Sequence, residues 1–218
     1  MKPQFEQVVV VPGESWTLLW RELPELPFLW HYHPEYELTL TLNACGQRYV
    51  GDSLEDFESG DLVMLGPNQP HTWAASHRPD ATSPMLAVVI WFSSEWLGRL
   101  LDGWPELSVL KNLVAHAGRG LRFSKGVVAQ AEPLMLAMRD LAPVHRLPLL
   151  FQVLTLLAQD AESQMLATYA FSPAGDKVQD RMERVLDHLH ASTKQTISLP
   201  QLAEEAALSV EIGRASCR

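Results

Sequence analysis

A mainly β domain followed by α-helices is the fold class that the sequence predicts, and three observations support it. Short runs of alternating apolar and polar residues, separated by glycine and proline, fill residues 5–92. From Ser93 onward the apolar residues recur at helical spacing. A short segment with Ser172, Pro173 and Gly175 then reads as a linker, beyond which helical patterns begin again.

The β region divides into short strands at its turn-forming residues. The predicted strands are residues 5–11, 16–21, 31–33, 37–43, 47–51, 61–65, 71–73 and 85–92. Alternation is strictest in residues 37–43, which places Glu37, Thr39 and Thr41 on one face and three leucines on the other. The uniformly apolar run 85–92 predicts a buried strand that closes this domain, which is expected to span residues 1–92.

Residues 93–167 are predicted to form a helical region. A serine-led start at Ser93 or Ser94 is followed by predicted helices at residues 105–115, 125–141 and 144–162. The last two carry wide apolar stripes, which include Leu134, Met138, Leu150 and Leu157. Such stripes either cover the β domain or leave part of their width for a second copy of the chain. We therefore expect this region to serve in packing and dimerisation.

A candidate metal site lies in residues 31–37, where two histidines and a glutamate occur close together. His31 and His33 point the same way in an extended strand, and Glu37 can rejoin that face after Pro34 bends the chain. His71 is expected to arrive from another strand. Three imidazoles and one carboxylate suit one divalent ion such as Zn, Ni, Fe(II) or Mn. The alternative is that these side chains hydrogen-bond one another and hold no ion.

The motifs His-x-His-x3-Glu and Gly-x5-Gly-Pro-x2-Pro-His resemble the two motifs of the cupin superfamily. The resemblance implies a double-stranded β-helix, the cupin barrel, with one metal ion bound by His31, His33, Glu37 and His71. Two departures from the pattern weaken an expectation of catalysis. The glycine expected soon after the glutamate comes later, as Gly46, and Gly66-Pro67-Asn68 stands where enzymes of the family have Pro-x-Gly.

The face that carries Glu37 also predicts where a small-molecule effector would bind. Thr39 and Thr41 follow Glu37 on that face, and Trp73 shares the face of His71. A tryptophan beside such a site can form a wall on which a ligand stacks. The alternative for Trp73 is a plain role in the apolar core.

The C-terminal residues resemble a different family. After the linker at residues 168–176, residues 177–218 contain a helical pattern and then ISLPQLAEEAALS at residues 197–209. This order resembles the opening of the DNA-binding domain of AraC-type regulators, in which the alanine-rich helix begins a helix-turn-helix. The alternative is an unrelated amphipathic helical pair. The recognition helix expected after Ser209 is missing, so no DNA-binding residue can be assigned, and we expect the natural protein to continue further.

Taken along the chain, these motifs have the order of an AraC/XylS-type transcription regulator with a cupin-like sensor domain. The resemblance implies a cytoplasmic homodimer, not an enzyme, that binds a small-molecule effector and, in the full-length protein, operator DNA. One alternative is a metal-dependent cupin enzyme, a dioxygenase or an isomerase. Another is an isolated effector-sensing module without DNA binding.

Composition limits the remaining classes. A formal net charge of -9 argues against a chain that wraps nucleic acid over its whole surface, but it does not exclude a small DNA-reading module. No apolar run approaches the length of a membrane span, and we expect no membrane partner. Cys45 and Cys217 lack the spacing of a thiolate zinc site.

Overall fold

A computed structural model describes residues 2–170 of the chain, which lie in one compact unit. The predicted DNA-binding region at residues 177–218 lies outside the described residues, as does the predicted linker from residue 171 onward. Within residues 2–170, no helix combines the length and apolar character that crossing a bilayer requires.

The described chain contains eleven strands and four α-helices. The strands are β1 (Gln4–Phe5), β2 (Thr17–Leu23), β3 (His31–Tyr32), β4 (Tyr36–Leu42), β5 (Cys45–Val50), β6 (Ser53–Phe57), β7 (Asp61–Leu65), β8 (His71–His77), β9 (Met85–Phe92), β10 (Leu121–Arg122) and β11 (Gln164–Met165). The helices are α1 (Ser94–Gly103), α2 (Leu110–Ala117), α3 (Lys125–Ala137) and α4 (Pro143–Ala158), with a 3₁₀ helix at Pro105–Val109.

Two sheets form the β part of the fold. The first sheet has the strand order β1-β3-β8-β5-β6, and the second has the order β11-β10-β7-β4-β9-β2. Neighbouring strands are antiparallel except for the parallel pair β1 and β3. Gly46 allows β5 to approach β8 closely, because a Cβ at this position would lie 2.0 Å from the carbonyl oxygen of Ala74. Apart from the pair β1 and β3, both sheets are antiparallel, and most of their strands lie in the predicted β domain at residues 1–92.

The helices pack on the outer face of the second sheet. Leu38 and Leu40 of β4 are fully buried in one core cluster with Leu113 of α2, Met135 of α3 and Leu154 of α4. The opposite face of β4 carries the buried polar residues Glu37, Thr39 and Thr41. The strict alternation of residues 37–43 therefore separates an apolar core beneath the helices from a polar interior between the sheets.

Several predicted elements differ from the observed ones. Residues 5–11 do not form a long strand, since β1 ends at Phe5. β6 was not predicted, because its residues are largely polar and half exposed. It forms a strand through its antiparallel pairing with β5. β9 is a buried strand as predicted, but it lies inside its sheet between β4 and β2 and does not close it.

The helical region differs in its bounds and in its exposed surface. The predicted helix at residues 105–115 is a 3₁₀ helix followed by α2, because Pro105 opens a tighter turn. α3 ends at Ala137 instead of residue 141. Met138, Leu150 and Leu157 are fully buried in the core, so only Leu134 of the stripe residues named above keeps partial exposure.

The second sheet takes strands from both sides of residue 92. β10 pairs with β7, and β11 pairs with β10, although both follow the first helices in the sequence. Residues 93–170 are thus joined to the β part by backbone pairing as well as by packing. That residues 1–92 sense an effector, while residues 93–167 serve in packing and dimerisation, remains a prediction.

Candidate metal centre and adjoining cavity

Strand pairing brings the four predicted ligands together. His31 of β3 lies opposite His71 of β8, His33 follows β3, and Glu37 lies on β4 of the facing sheet. One ligand atom from each of the four residues lies within 4.8 Å of the others. This separation is close to that of atoms sharing one ion, since metal–ligand bonds of about 2.0 to 2.2 Å place ligands roughly 3 to 4 Å apart.

The turn before β8 helps to hold His33 and His71 in place. Its residue Asn68 donates its backbone N–H to the carbonyl oxygen of His33 at 2.7 Å. Asn68 has a φ of 60°, in the left-handed region that asparagine tolerates better than most residues. The asparagine at this position thus makes a turn for which glycine is the usual residue.

Two of the imidazole rings are oriented by backbone carbonyl groups. Nδ1 of His71 donates to the carbonyl oxygen of Gln69 at 2.7 Å, and Nδ1 of His31 donates to that of Leu29 at 2.6 Å. Because a carbonyl oxygen only accepts hydrogen bonds, the proton must be on Nδ1 in both rings. Nε2 of His71 is buried and, among the described residues, has no hydrogen-bond partner. Metal-binding histidines usually have this arrangement, in which the outer nitrogen is held and the inner one is free.

Glu37 is the acceptor at the centre of the cluster. Its Oε2 atom accepts from Nε2 of His33 at 2.9 Å and from Nε1 of Trp91 at 2.7 Å. Its Oε1 atom accepts from Oγ1 of Thr39 at 2.6 Å. Burial acts to raise the pKa of Glu37, but the neighbouring His71 and the hydrogen bond from His33 hold that pKa well below its ordinary value. Glu37 is therefore an ionised carboxylate in a buried site.

The two carbonyl-bound histidines have opposite pKa shifts. Burial lowers the pKa of His71, which keeps this ring neutral at pH 7. Burial also acts to lower the pKa of His31, but the hydrogen bond to Glu6, at 2.9 Å from Nε2, raises that pKa. The same hydrogen bond lowers the pKa of Glu6. His71 thus has a free ring nitrogen for a cation, whereas both ring nitrogens of His31 have hydrogen-bond partners, Leu29 and Glu6.

The donor chemistry of the cluster fits a divalent metal ion. Three imidazole rings and one carboxylate form a mixed nitrogen and oxygen set, which suits Zn, Ni, Fe(II) or Mn. The free Nε2 atom of His71 and the ionised Glu37 supply the lone pairs that such an ion needs. Bound there, a divalent ion would act as a Lewis acid toward a ligand in the adjoining space.

A cavity of about 80 Å³ lies between the two sheets beside the cluster. His31 and Glu37 line it together with all three predicted effector-binding residues, which are Thr39, Thr41 and Trp73. The remaining walls are mostly apolar and include Leu19, Leu23, Leu26, Leu29, Val89 and Trp91. Oγ1 of Thr41 is buried and has no hydrogen-bond partner in the part of the chain that the structure describes. The cavity thus combines mostly apolar walls with the unpartnered hydroxyl group of Thr41 and the edge of the candidate metal site, and Arg21 and Glu6 also line it.

Trp73 packs against apolar core residues and also lines the cavity. It is partly buried against the apolar residues Val50, Val63 and Leu65, and its ring also lines the cavity. Nε1 of Trp73 donates to Oδ2 of Asp61 at 2.9 Å, and the other oxygen of Asp61 accepts from the buried guanidinium of Arg48. This ion pair fixes the indole ring as one rigid wall of the cavity.

Three residues near the cluster were not predicted from the sequence as part of it. Trp91 contacts Glu37 and His33, Glu6 contacts His31, and Glu35 lies beside His33. The alternation of β9 places Trp91 on the face opposite Phe92, but a uniformly apolar strand gives no sign that one side chain reaches a polar centre. Glu6 is positioned by the pairing of β1 with β3, for which the sequence holds no pattern.

A second set of contacts connects the cluster to the end of the described chain. His71 pairs with Val50 of β5, and the next residue, Gly51, donates its N–H to the carbonyl oxygen of Pro70 at 2.8 Å. The following residue, Asp52, accepts two hydrogen bonds from Thr168, one of them from the backbone N–H at 2.9 Å. Thr168 is thus attached to the turn that follows the strand beside His71.

No protein-family model matches the chain, and no curated protein matches its sequence. Comparison of the fold with solved structures gives several similar chains. Apo ToxT from Vibrio cholerae has a TM-score of 0.46 and 10% identity, over 94% of this chain and 74% of that one. The AraC-like transcriptional activator CuxR has a TM-score of 0.39 and 7% identity, over 82% of this chain and 59% of that one.

A cupin 2 conserved barrel domain protein from Rhodopseudomonas palustris has a TM-score of 0.30 and 18% identity, over 40% of this chain and 57% of that one. This chain therefore matches less than two thirds of the length of the cupin protein and of CuxR. The solved structures named here thus include an AraC-like transcriptional activator and a cupin 2 conserved barrel domain protein, each with a TM-score below 0.5.

Proposed function

We propose that the described domain binds one divalent metal ion and senses a small molecule, and that the whole protein is a transcription regulator. The observation that carries the proposal is the cluster of His31, His33, Glu37 and His71 at the edge of a cavity. Nε2 of His71 gives specific support, because it is buried and has no hydrogen-bond partner among the described residues. A metal ion would supply that partner.

The effector would bind in the cavity between the sheets. Thr41 offers a buried hydroxyl group with no partner in the described structure, and Thr39 and Trp73 line the same space. A buried polar group without a partner costs stability, and a ligand that bonds to it recovers that cost. We infer a small ligand with one polar group for Thr41, an apolar part against Trp73 and Trp91, and a group that reaches the metal ion.

The bound state would reach the C-terminal residues through strand β5. His71 pairs with Val50. Asp52, two residues after Val50, accepts a hydrogen bond from the backbone N–H of Thr168. A shift of β8 on metal or effector binding would be transmitted through Val50 and Asp52 to Thr168, near the end of the described residues. Residues 177–218 carry the sequence that resembles an AraC-type DNA-binding domain, and we propose that this shift changes its affinity for operator DNA.

We propose that the chain forms a homodimer through α3 and α4. An apolar groove of about 400 Å³ lies between these helices and is lined by Leu134, Phe151, Gln152, Thr155 and Leu156. A symmetric pair of such grooves can bury their leucines against each other. Two-fold symmetry also matches the paired half-sites that dimeric helix-turn-helix regulators bind.

A metal-dependent cupin enzyme is the second candidate, favoured by the contact between the cluster and the cavity. His31 and Glu37 line the same space as the predicted effector residues, so a molecule bound there could also be activated by the ion. A sensor releases its ligand unchanged, whereas a dioxygenase or isomerase converts it. The two functions therefore differ in the fate of the bound molecule.

A ligand screen followed by recovery of the ligand tests the proposal. The zinc-loaded chain is heated with a panel of small polar metabolites, and ligands are identified by a raised melting temperature. A ligand at about 100 times its dissociation constant stabilises the folded state by roughly 2.7 kcal/mol. We expect the stabilisation to be lost in Thr41→Val and kept in Thr82→Val, an exposed control, with the ligand recovered unchanged by mass spectrometry. A converted ligand would favour the enzyme, and a screen without ligands that depend on Thr41 would contradict the sensor.

A further inference from the structure

We propose that Glu35 positions His33 for metal binding by accepting the Nδ1 proton of its ring. This inference rests on the proposed metal function and adds a residue to it. His33 and Glu35 are two residues apart, with Pro34 between them, and Glu35 directly precedes β4. Glu35 would thus be a positioning residue, acting on the ion through His33.

The first observation is that His33 lacks the support that the other two rings have. His31 and His71 each donate from Nδ1 to a backbone carbonyl oxygen. Nδ1 of His33 is buried and has no hydrogen-bond partner among residues 2–170, although only 1% of the side chain is exposed. A buried ring nitrogen without a partner is costly, so its presence calls for an explanation.

The second observation is a matching acceptor. Oε2 of Glu35 is also buried and lacks a hydrogen-bond partner within the described chain. It lies 3.7 Å from Nδ1 of His33, just beyond the length of a hydrogen bond. Two unpartnered polar atoms, a ring nitrogen and a carboxylate oxygen, therefore face each other across a gap that a small movement can close.

The position of the ring proton explains why the gap is open. A neutral imidazole carries one proton on its two nitrogens. Nε2 of His33 lies 2.9 Å from Oε2 of Glu37 and 3.3 Å from Nε1 of Trp91, whose N–H bonds at 2.7 Å to the same carboxylate oxygen. The shorter contact of Nε2 is with an acceptor, so we place the ring proton on Nε2. Nδ1 then presents a lone pair to Glu35, and two acceptors repel each other.

Metal binding would reverse this arrangement. With Nε2 of His33 as a ligand of the ion, the single ring proton of His33 would reside on Nδ1. Nδ1 then becomes a donor aimed at Oε2 of Glu35, and the contact becomes a charge-assisted hydrogen bond. This bond fixes the ring and makes Nε2 a stronger donor to the ion. His33 would thus have a carboxylate as its outer partner, whereas His31 and His71 have carbonyl groups.

Zinc affinity and the His33 ring proton together test this inference. The dissociation constant for zinc is measured by competition with a chelator for the wild-type chain, Glu35→Ala, Glu35→Gln and Glu95→Gln. Glu95 is the matched control, because it is an exposed acid on α1 that pairs with Arg99. We expect Glu35→Ala to bind zinc about 10 to 100 times more weakly, Glu35→Gln to fall between, and Glu95→Gln to match the wild type.

The ring proton is observed in nitrogen-15 spectra of labelled protein. We expect an Nδ1–H signal of His33 in the zinc-loaded wild type, shifted downfield by the carboxylate, and its loss or upfield shift in Glu35→Ala. A purely structural role would instead lower the melting temperature of the zinc-free variant and leave this signal in place. Equal zinc affinity of Glu35→Ala and Glu95→Gln would overturn the role of Glu35 alone. A wild-type chain that binds no zinc would overturn the proposed metal function as well.

Discussion

Nε2 of His71 lies 3.4 Å from Oε2 of Glu37 and is buried without a hydrogen-bond partner in the described chain. The distance is too long for a good hydrogen bond, and the ring proton is already on the opposite nitrogen, bound to Gln69. This spacing supports our proposal that the two atoms are neighbouring ligands of one ion. The predictions below follow from this relationship and from the contacts around it.

The pKa values of His31 and His71 should lie on opposite sides of the ordinary histidine value. The pKa of His31 is raised above 6.5, and burial lowers the pKa of His71 below 6.5. As the pH of the metal-free chain falls from 8, we expect His31 to take up its proton first. Proton NMR of the ring signals, assigned with His31→Ala and His71→Ala, measures this order. The reverse order would contradict the described hydrogen bonds.

The same shifts act on stability with opposite signs. Near pH 6.5 the unfolded chain binds a proton at His71 more readily than the folded chain, so this group reduces the unfolding free energy as the pH falls below 6.5. The contribution of His31 is fully present below about pH 6.5 and is lost as the pH rises through its raised pKa. We therefore expect the unfolding free energy of His71→Gln to fall less than that of the wild type as the pH drops below 6.5. Denaturant unfolding at a series of pH values measures this difference.

Thr39 and Thr41 should respond differently to substitution by valine. Thr39 donates a hydrogen bond to Glu37, whereas the hydroxyl of Thr41 has no partner in the described structure. We expect Thr39→Val to destabilise the chain by about 1 to 3 kcal/mol and Thr41→Val to stabilise it by roughly 1 kcal/mol. Urea unfolding of the ligand-free proteins measures both. Destabilisation by Thr41→Val equal to that of Thr39→Val would mean that Thr41 serves the fold and not a ligand.

The contact between Asp52 and Thr168 should carry the effect of metal binding. The carboxylate of Asp52 accepts two hydrogen bonds from Thr168, and they lower its pKa. We expect zinc to change the hydrogen-exchange rate of the Thr168 amide in the wild type, and this change to disappear in Asp52→Ala. Asp56→Ala is the control, since Asp56 is an exposed acid on the neighbouring strand β6. Identical responses in both variants would exclude this route.

Dimerisation should depend on the groove between α3 and α4. We expect Leu134→Glu and Leu156→Glu to shift the mass in solution from dimer to monomer, while circular dichroism stays native. Val144→Glu is the matched control, because Val144 lies at the start of α4 with 70% of its surface exposed. Light scattering at micromolar concentration measures the mass. A monomeric wild-type chain would contradict the proposed interface.

Much of the site could be predicted because strand geometry converts sequence spacing into direction. The alternation of Glu37, Thr39 and Thr41 with three leucines predicts which face lines the interior, and the structure has the leucines beneath the helices. His71 could be placed beside His31 only through a motif resemblance, because the pairing of β3 with β8 is a long-range contact.

The unpredicted parts depend on contacts that leave no periodic pattern. β6 is half exposed and largely polar, so it lacks the apolar alternation of a core strand. β10 and β11 contain two residues each, and they are strands only because β10 pairs with the edge of β7 and β11 pairs with β10. The partners of the cluster, such as Trp91 and Glu6, are fixed by tertiary packing and could not be read from spacing.

The metal content of tag-free protein tests the central claim most directly. Elemental analysis would compare the purified wild-type chain with His33→Ala and with the control His116→Ala, which removes a histidine of α2 far along the sequence from the cluster. We expect about one equivalent of a divalent metal in the wild type and in His116→Ala, and a loss of most of it in His33→Ala. A metal-free wild type after incubation with zinc, or equal metal content in all three proteins, would contradict the account.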